Sequence, residues 1–143
     1  MPEAKSGDYA WGQHMIKSMA PAKGRMAVVL PHSALFRMAR EGQIRKKILN
    51  MDLLEAATDL GSNLFYSTGL AACILVFCQR KTKERRNKVL IVDASHEFKA
   101  GRAQNEILPE HVERIHGWYR DFKEVAGVAR VVTLFPPRIR NIV

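Results

Sequence analysis

The sequence predicts an α/β domain, in which helices alternate with short apolar strands. Two observations support this prediction: apolar residues recur at helical spacing in some segments, and β-branched apolar runs bounded by turn residues occupy others. A chain of 143 residues, 47% of them hydrophobic, is long enough to bury the core of one such domain. The sequence contains neither an internal repeat nor a low-complexity linker, so a single folded unit is expected.

The amino-terminal third should form a helix, a strand and a second helix. Asp8 suits the N-cap position, and apolar residues that include Trp11 recur at helical spacing as far as Ala20. The β-branched run 25–30 is typical of a strand buried on both faces. In segment 40–50 the apolar residues share one helical face and three basic residues occupy the other. These basic residues are Arg45, Lys46 and Lys47.

Three further strands and a last helix are predicted. Segment 52–60 has helix-forming residues but is too short for a stable isolated helix, and we interpret it as a strand. Segments 72–78 and 89–93 are apolar and β-branched, as buried strands are. Pro109 suits the first turn of a last helix, in which apolar residues follow at spacings of three, three and four. They are Val112, Ile115, Trp118 and Phe122.

The charge of the chain favours a polyanionic partner. There are 23 Lys and Arg against 14 Asp and Glu, a formal net charge of +9. Six of the basic residues lie in segment 79–88, which should be a hairpin tip or a loop and has one acidic residue, Glu84. The six are Arg80, Lys81, Lys83, Arg85, Arg86 and Lys88. They could contact a DNA backbone, or form a solvated turn that protects a sheet edge, and composition alone leaves both interpretations open.

A second candidate surface is the segment 62–69, where two adjacent aromatic residues stand between small polar ones. Phe65 and Tyr66 could stack on a nucleic-acid base. Packing as a plug beneath the loop is an equally good interpretation from the sequence.

A complete catalytic site is absent from the sequence. The nine glycines are isolated, with no GxG or GK[ST] pattern, so no phosphate cradle is predicted. His111 and His116 are five residues apart and should be solvated surface histidines, so no metal site is expected. Cys73 and Cys78 lie in an apolar run and match neither a redox nor a zinc pattern. We expect both thiols to be buried and reduced.

The chain shows no targeting or membrane signal. Its start lacks the basic and apolar regions of a signal peptide, and the longest apolar run, 70–77, is far shorter than the roughly 20 residues that span a bilayer. The expected location is the cytoplasm, with no membrane partner.

Several blocks of sequence follow one another in a familiar order and spacing. They are Asp8–Trp11, His14, Gly24–Arg37, Glu41–Gly42, Ile44–Leu49, Asn63–Tyr66, Thr68–Gly69, Cys73–Val76, Ile91–Ser95 and Gln104–Asn105. Together these blocks resemble the modification subunit of type I restriction systems, an adenine-specific DNA methyltransferase. The resemblance covers nearly the whole chain.

The resemblance implies a particular fold. Residues 6–133 would be the second half of a Rossmann-like, class I S-adenosylmethionine-dependent methyltransferase domain with a mixed sheet, and residues 134–143 an irregular tail. Strand 25–30 would be central. Segment 72–79 would be an antiparallel strand inserted beside the strand at 52–60.

The resemblance also implies that this chain is incomplete as an enzyme. In the full-length family S-adenosylmethionine binds a glycine-rich loop, and an Asn-Pro-Pro-aromatic motif holds the adenine. Both elements lie upstream of the matched region. The only Pro-Pro, at 136–137, follows Phe135 rather than Asn and is not that motif. We expect a truncated or decayed reading frame whose product has no catalytic residue of its own, does not bind S-adenosylmethionine alone and is inactive alone.

Segment 62–69 corresponds to a loop that borders the pocket for the flipped target base in similar methyltransferases. Phe65 is the best match for a base-contacting residue, with Asn63, Tyr66 and Thr68 as neighbours. Gly61 departs from the family, which usually has proline there. The implied partners are DNA and, in the full-length family, the specificity and restriction subunits.

The sequence leaves two alternatives open. One is a non-enzymatic DNA-binding or assembly module that uses the basic loop and the segment 63–68. The other is a product with exposed strand edges that associates with itself.

Overall fold

The computed structural model of the chain describes residues 7–36 and 38–134. Three helices, one 3₁₀ turn and five strands make up this part of the chain, which confirms the predicted α/β class. In order they are α1 (Asp8–Ser18), β1 (Arg25–Pro31), the 3₁₀ turn (His32–Leu35), α2 (Ala39–Asn50), β2 (Leu54–Leu60), β3 (Ala72–Cys78), β4 (Lys88–Ala94), α3 (Pro109–Asp121) and β5 (Ala129–Thr133). Within these ranges no helix is long and apolar enough to cross a membrane. Most of the predicted tail, from residue 135 onward, lies outside the described residues.

The five strands form one mixed sheet in the order β1-β3-β2-β4-β5. Strand β3 runs antiparallel to both β1 and β2, β2 and β4 are parallel, and β5 returns antiparallel to β4. The predictions of a strand in segment 52–60 and of an inserted antiparallel strand beside it are therefore confirmed. Strand β5 was not predicted.

Strand β1 differs from its prediction, because it is an edge strand of the described sheet rather than a central strand buried on both faces. Its residues alternate between exposed and half-buried. Met26, Val28 and Leu30 pack against a core cluster, whereas Val29 is 50% exposed. An apolar run has the same appearance in the sequence whether one face or both faces are covered, so the run itself could not distinguish these cases.

The sheet is covered by helices on both faces. On one face α1 and α2 bury Tyr9, Ile16 and Ile48 against β3. On the other face the apolar residues of α3 pack against Leu90 and Val92 of β4. The two free cysteines are buried, as expected.

Helix α1 differs from its prediction at its N-cap and at Trp11. Gly7, not Asp8, occupies the N-cap, and Asp8 is the first helical residue. The buried residues are Tyr9, Gly12 and Ile16, while Trp11 is 69% exposed. Ile16 and Met19 of the predicted apolar series pack against the core, so the departure is at Trp11, which contact with the sheet leaves outside the buried face.

In helix α3 the predicted residues Ile115, Trp118 and Phe122 pack against the core, and the first turn differs from its prediction. Val112 is exposed, and His111 is buried. The Leu108 backbone amide donates a 2.9 Å hydrogen bond to His111 Nδ1, which therefore caps the helix. The prediction of a solvated surface histidine was wrong at His111, because an unpaired amide at a helix start needs an acceptor.

Candidate nucleic-acid interface

Two loops meet at one end of the sheet, beyond the carboxyl ends of β2 and β4. Residues 61–71, here called the aromatic loop, join β2 to β3, and residues 95–108, the return loop, join β4 to α3. Because β2 and β4 are parallel, their carboxyl ends lie side by side and both loops begin there. Crevices at the carboxyl ends of parallel strands are the usual binding positions in α/β proteins.

An open cavity of about 480 Å³ lies between the two loops. Its lining residues are Leu64, Phe65, Tyr66, Gln104, Asn105, Glu106 and Ile107. Phe65 is 43% exposed and Tyr66 is 88% exposed. Leu64, by contrast, packs against the core under α3. The residue that packs beneath the loop is thus an aliphatic neighbour, and both aromatic rings are accessible to a ligand.

Asn63 and Thr68, the other two residues predicted for the base pocket, fix the conformation of the aromatic loop and do not line the cavity. Asn63 has a left-handed backbone with φ of 56°, and its backbone amide donates a hydrogen bond of 3.3 Å to the Gly69 carbonyl. The Thr68 hydroxyl accepts a hydrogen bond of 3.1 Å from the Leu70 amide. Phe65 and Thr68 form an isolated β-bridge across the turn.

Four hydrogen bonds join the aromatic loop to the return loop. They run from Asn63 Nδ2 to the Ala103 carbonyl (3.3 Å), from the Asn105 amide to the Asn63 carbonyl (2.8 Å), from Asn105 Nδ2 to the Ser62 carbonyl (3.0 Å) and from Gln104 Nε2 to the Leu64 carbonyl (2.7 Å). Sequence reasoning included 104–105 among the family blocks but assigned them no role.

Gly61 begins the aromatic loop and packs directly against the return loop. A Cβ at this position would lie 2.6 Å from Phe98 Cδ1 and 2.9 Å from the Ser95 carbonyl oxygen. The Phe98 ring therefore occupies the space that a side chain at this position would need.

Two carboxylates at the carboxyl ends of β2 and β4, Asp59 and Asp93, have partners within the protein, although Asp59 Oδ1 is buried without a hydrogen bond to a described residue. Asp59 Oδ2 lies 3.3 Å from His32 Nε2, and burial raises the pKa of Asp59. Asp93 accepts hydrogen bonds from the Ser95 hydroxyl at 2.5 Å and the Ser95 amide at 3.0 Å, which lower its pKa. Across the described ranges no group of His, Cys, Asp and Glu could hold a metal ion.

The basic loop, residues 79–88, lies at the opposite end of the sheet. It connects β3 to β4, which do not pair with each other because β2 lies between them. It is therefore a crossing loop, and the alternative of a hairpin tip is excluded. Each strand has about seven residues, so the basic loop and the aromatic loop are roughly 20 Å apart along the strands.

Two of the six basic side chains are engaged inside the protein. Lys81 is buried, and its Nζ donates to Asp52 Oδ1 at 2.5 Å and to the Lys88 carbonyl at 2.8 Å. Arg85 Nη1 donates to Glu55 Oε1 at 2.6 Å, and its guanidinium lies over the Phe122 ring at 4.6 Å. These contacts fix the loop against β2 and the end of α3.

Glu55 is the centre of this internal network and was missed by sequence reasoning. Its side chain is 2% exposed, and Oε1 accepts hydrogen bonds from Arg85, from Arg25 at 3.2 Å and from the Tyr119 hydroxyl at 2.7 Å. Burial opposes its ionisation, but the bonds from Tyr119 and Arg85 outweigh burial and lower the pKa of Glu55.

The remaining basic residues of the loop are available to a ligand. Arg80, Lys83 and Arg86 are exposed, and Lys88 is half-buried. Arg80 and Lys88 also line an open cleft of about 690 Å³ that includes Lys123.

Comparison with known proteins gives a consistent result. The sequence profile described as N-6 DNA Methylase matches residues 1–136. The type I restriction enzyme MjaVII methylase subunit of Methanocaldococcus jannaschii is 34% identical over 136 residues, which are 93% of this chain and 23% of the relative. The MpnII methylase subunit of Mycoplasma pneumoniae is 30% identical over 131 residues, which are 92% of this chain and 23% of the relative.

Solved structures agree in fold. The type I restriction-modification methyltransferase subunit of Streptococcus thermophilus superposes with a TM-score of 0.84 and 29% identity, over 90% of this chain and 27% of that one. A modification subunit of a putative type I restriction enzyme from Vibrio vulnificus superposes with a TM-score of 0.68 at 15% identity, over 86% of this chain and 26% of that one. The expected partial methyltransferase fold is confirmed, and the chain spans about a quarter of the length of each of these proteins.

Proposed function

The chain belongs to the N-6 DNA methylase family, and we propose that it forms one wall of the target-adenine pocket of a type I DNA methyltransferase subunit. The observation that carries this proposal is the pair of accessible aromatic side chains, Phe65 and Tyr66, over the cavity between the two loops. An enzyme that modifies a base must take it out of the stack, and the extruded base stacks on aromatic or apolar side chains.

The methyl donor of the proposed full-length enzyme is S-adenosylmethionine, but the described residues do not fit its binding site. No glycine of the described part of the chain lines the cavity between the two loops, and Gly61 at the start of the aromatic loop faces the Phe98 ring. Within the described ranges no closely spaced glycines allow a backbone approach to the cofactor. We therefore propose that the chain by itself neither binds S-adenosylmethionine nor transfers a methyl group.

The basic loop supplies a second, separate contact in this proposal. Its accessible cations, Arg80, Lys83, Arg86 and Lys88, would contact the DNA backbone without reading sequence. Lys81 and Arg85, which were included in the same expectation, would serve the contact indirectly by holding the loop in place.

The proposed setting is the cytoplasm, in a complex that contains specificity and restriction subunits. Support comes from the relatives that are 34% and 30% identical to this chain, which are methylase subunits of type I restriction enzymes.

A second candidate function is a DNA-binding or assembly module without catalysis. The absence of closely spaced glycines from the described ranges favours it for the chain alone.

The base pocket can be tested with oligonucleotides that present one unpaired adenine or, as the reference, an abasic site. We expect the chain to prefer adenine, and Phe65→Ala and Tyr66→Ala to reduce this preference. Trp11→Ala removes an aromatic ring that is 69% exposed and does not line the cavity, and it is the matched control. Equal affinity of the unchanged protein for the two oligonucleotides would refute the pocket.

Catalysis is tested separately, with labelled S-adenosylmethionine and unmethylated DNA. Methyl transfer above background by the chain alone would contradict its proposed inactivity.

The proposed contact with the DNA backbone predicts a particular salt dependence. Replacing Arg80, Lys83 and Arg86 by Ala should reduce the slope of log affinity against log salt by roughly one for each phosphate that the variant no longer neutralises. The control replaces three exposed lysines outside the loop, Lys17, Lys46 and Lys47, and removes the same charge. If both triple variants change the slope equally, net charge rather than the basic loop determines binding.

Self-association through exposed strand edges remains a prediction. Strand β1 and strand β5 each have one unpaired edge in the described sheet. Size-exclusion chromatography over a range of concentrations checks it, and a concentration-independent monomer would contradict it.

A further inference from the structure

We infer that Gln104 and Asn105 are positioning residues, which hold the aromatic loop so that Phe65 and Tyr66 present their rings to an unpaired base. This inference rests on the proposed function of the cavity. The sequence does not indicate this role, because adjacent Gln and Asn side chains can form hydrogen bonds in a loop for many structural reasons.

The aromatic loop needs an external support. Phe65 and Tyr66 expose much of their surface, so burial does little to fix their rings. The backbone on either side of them is left-handed at Asn63, with φ of 56°, and at Ser67, with φ of 63°. Non-glycine residues adopt this conformation only where surrounding contacts stabilise it.

Gln104 and Asn105 supply those contacts to three consecutive carbonyls immediately before Phe65. Asn105 donates from Nδ2 to Ser62 at 3.0 Å and from its backbone amide to Asn63 at 2.8 Å. Gln104 donates from Nε2 to Leu64 at 2.7 Å. The approach to the first aromatic residue is therefore held at every peptide unit, by donors from a single dipeptide.

The dipeptide itself is anchored. Lys99 and Glu106 exchange backbone hydrogen bonds of 2.8 and 3.0 Å, which close residues 99–106 into a hairpin. Asn105 Oδ1 accepts a further bond of 3.4 Å from the Gly101 amide inside that hairpin. Ile107, the next residue along, packs into the core under α3. The side-chain donors are thus connected to the sheet, and the orientation of the aromatic loop is set before a ligand arrives.

Such preorganisation has a specific consequence for binding. A loop already held in its bound conformation loses less conformational entropy when a base stacks on it. Removing a donor should therefore weaken the recognition of the base and leave unchanged the contacts that the nucleic-acid backbone makes elsewhere.

Two near-isosteric substitutions test the inference. Gln104→Glu and Asn105→Asp each keep the side-chain shape but replace the donating NH₂ by an oxygen that faces a carbonyl. Gln43→Glu makes the same chemical change on the exposed surface of α2 and is the matched control. The measured quantity is the preference for an unpaired adenine over an abasic site in otherwise identical oligonucleotides.

Each substitution of the dipeptide should reduce this preference by about five-fold, the factor that one net hydrogen bond supplies, and Gln43→Glu should not. Amide hydrogen exchange should become faster at Asn63 and Asn105 but not at Leu75 in β3. If the unchanged protein has no preference for adenine, the proposed pocket fails. If it has one and the dipeptide variants keep it, the positioning role is overturned while the pocket stands. Faster exchange throughout the sheet would also overturn it, because the residues would then act on stability alone.

Discussion

Glu55 and Arg85 form a 2.6 Å ion pair that joins the start of β2 to the basic loop across 30 residues of sequence. The Glu55 carboxylate is buried, and the pair lies beside the Phe122 ring at the end of α3. Three separate parts of the chain are held together at this point. The pair therefore holds Arg85 inward, away from the exposed cations of the basic loop.

Loss of the Glu55 carboxylate should destabilise the protein strongly. Glu55→Ala removes the anion that Arg85 and Arg25 share, and because their side chains are 19% and 54% exposed and can regain water, the cost should be about 1–3 kcal/mol. Urea unfolding measures the loss. Glu84→Ala removes an exposed carboxylate from the basic loop and should leave the urea midpoint unchanged. Similar midpoints for the two variants would show that the network contributes little.

The same carboxylate predicts how stability depends on pH. Hydrogen bonds from Tyr119 and Arg85 outweigh burial and lower the pKa of Glu55 in the folded protein, so its contribution is complete at neutral pH. That contribution begins to decrease near the ordinary glutamate pKa of about 4.3, where the unfolded chain takes up a proton, and is gone below the lowered pKa of the folded carboxylate. Glu55→Gln mimics the protonated form. The difference in urea midpoint between Glu55→Gln and the unchanged protein should shrink as the pH falls, and a constant difference would contradict this explanation.

Gly61→Ala should destabilise the aromatic loop because no space exists for the added methyl group. The new Cβ would lie 2.6 Å from Phe98 Cδ1, and overpacking of this kind costs about 1–3 kcal/mol. Gly69→Ala is the control, since nothing lies within 4 Å of a Cβ there. Phe98→Leu should reduce the cost of Gly61→Ala when the two are combined. Equal thermal stabilities of the two glycine variants would show that the return loop adjusts freely.

Both thiols should be unreactive in the folded protein. Burial raises the pKa of Cys73 to about 11, with a smaller contribution from Asp59, so little thiolate exists at mildly alkaline pH. Cys78 is buried as well. Titration with a disulfide reagent should detect no rapid reaction in the native chain and two thiols after denaturation. Rapid native labelling of Cys73 would indicate that the β1 edge opens.

The sequence predicted the regular elements well where a local pattern decides them. Segments 40–50 and 72–78 have unambiguous periodicity and composition, and both form the predicted element. The face that each helix buries was less accessible to prediction. Trp11 and Val112 have apolar side chains at helical spacing yet are exposed, because contact with the sheet selected neighbouring residues instead.

The candidate site was only partly accessible from the sequence. Phe65 and Tyr66 were identified by residue type and by resemblance, and the structure places both on a cavity. Gln104, Glu55 and Tyr119 were assigned no role in the sites, because their partners lie far away along the chain. Tyr119 and Glu55, for example, are 64 residues apart.

By itself, the sequence determined the α/β class, the antiparallel strand inserted beside β2 and the family. Each of these is encoded in local patterns and in the order of short blocks. Only the tertiary structure decided that the basic loop and the aromatic loop lie at opposite ends of the sheet, that Lys81 and Arg85 face inward, and that Gln104 and Asn105 support the loop before Phe65. The physical reason is that a sequence does not show in which direction a charged or amide side chain points. Strand order and hydrogen bonds across tens of residues determine whether it faces solvent or a partner inside the fold.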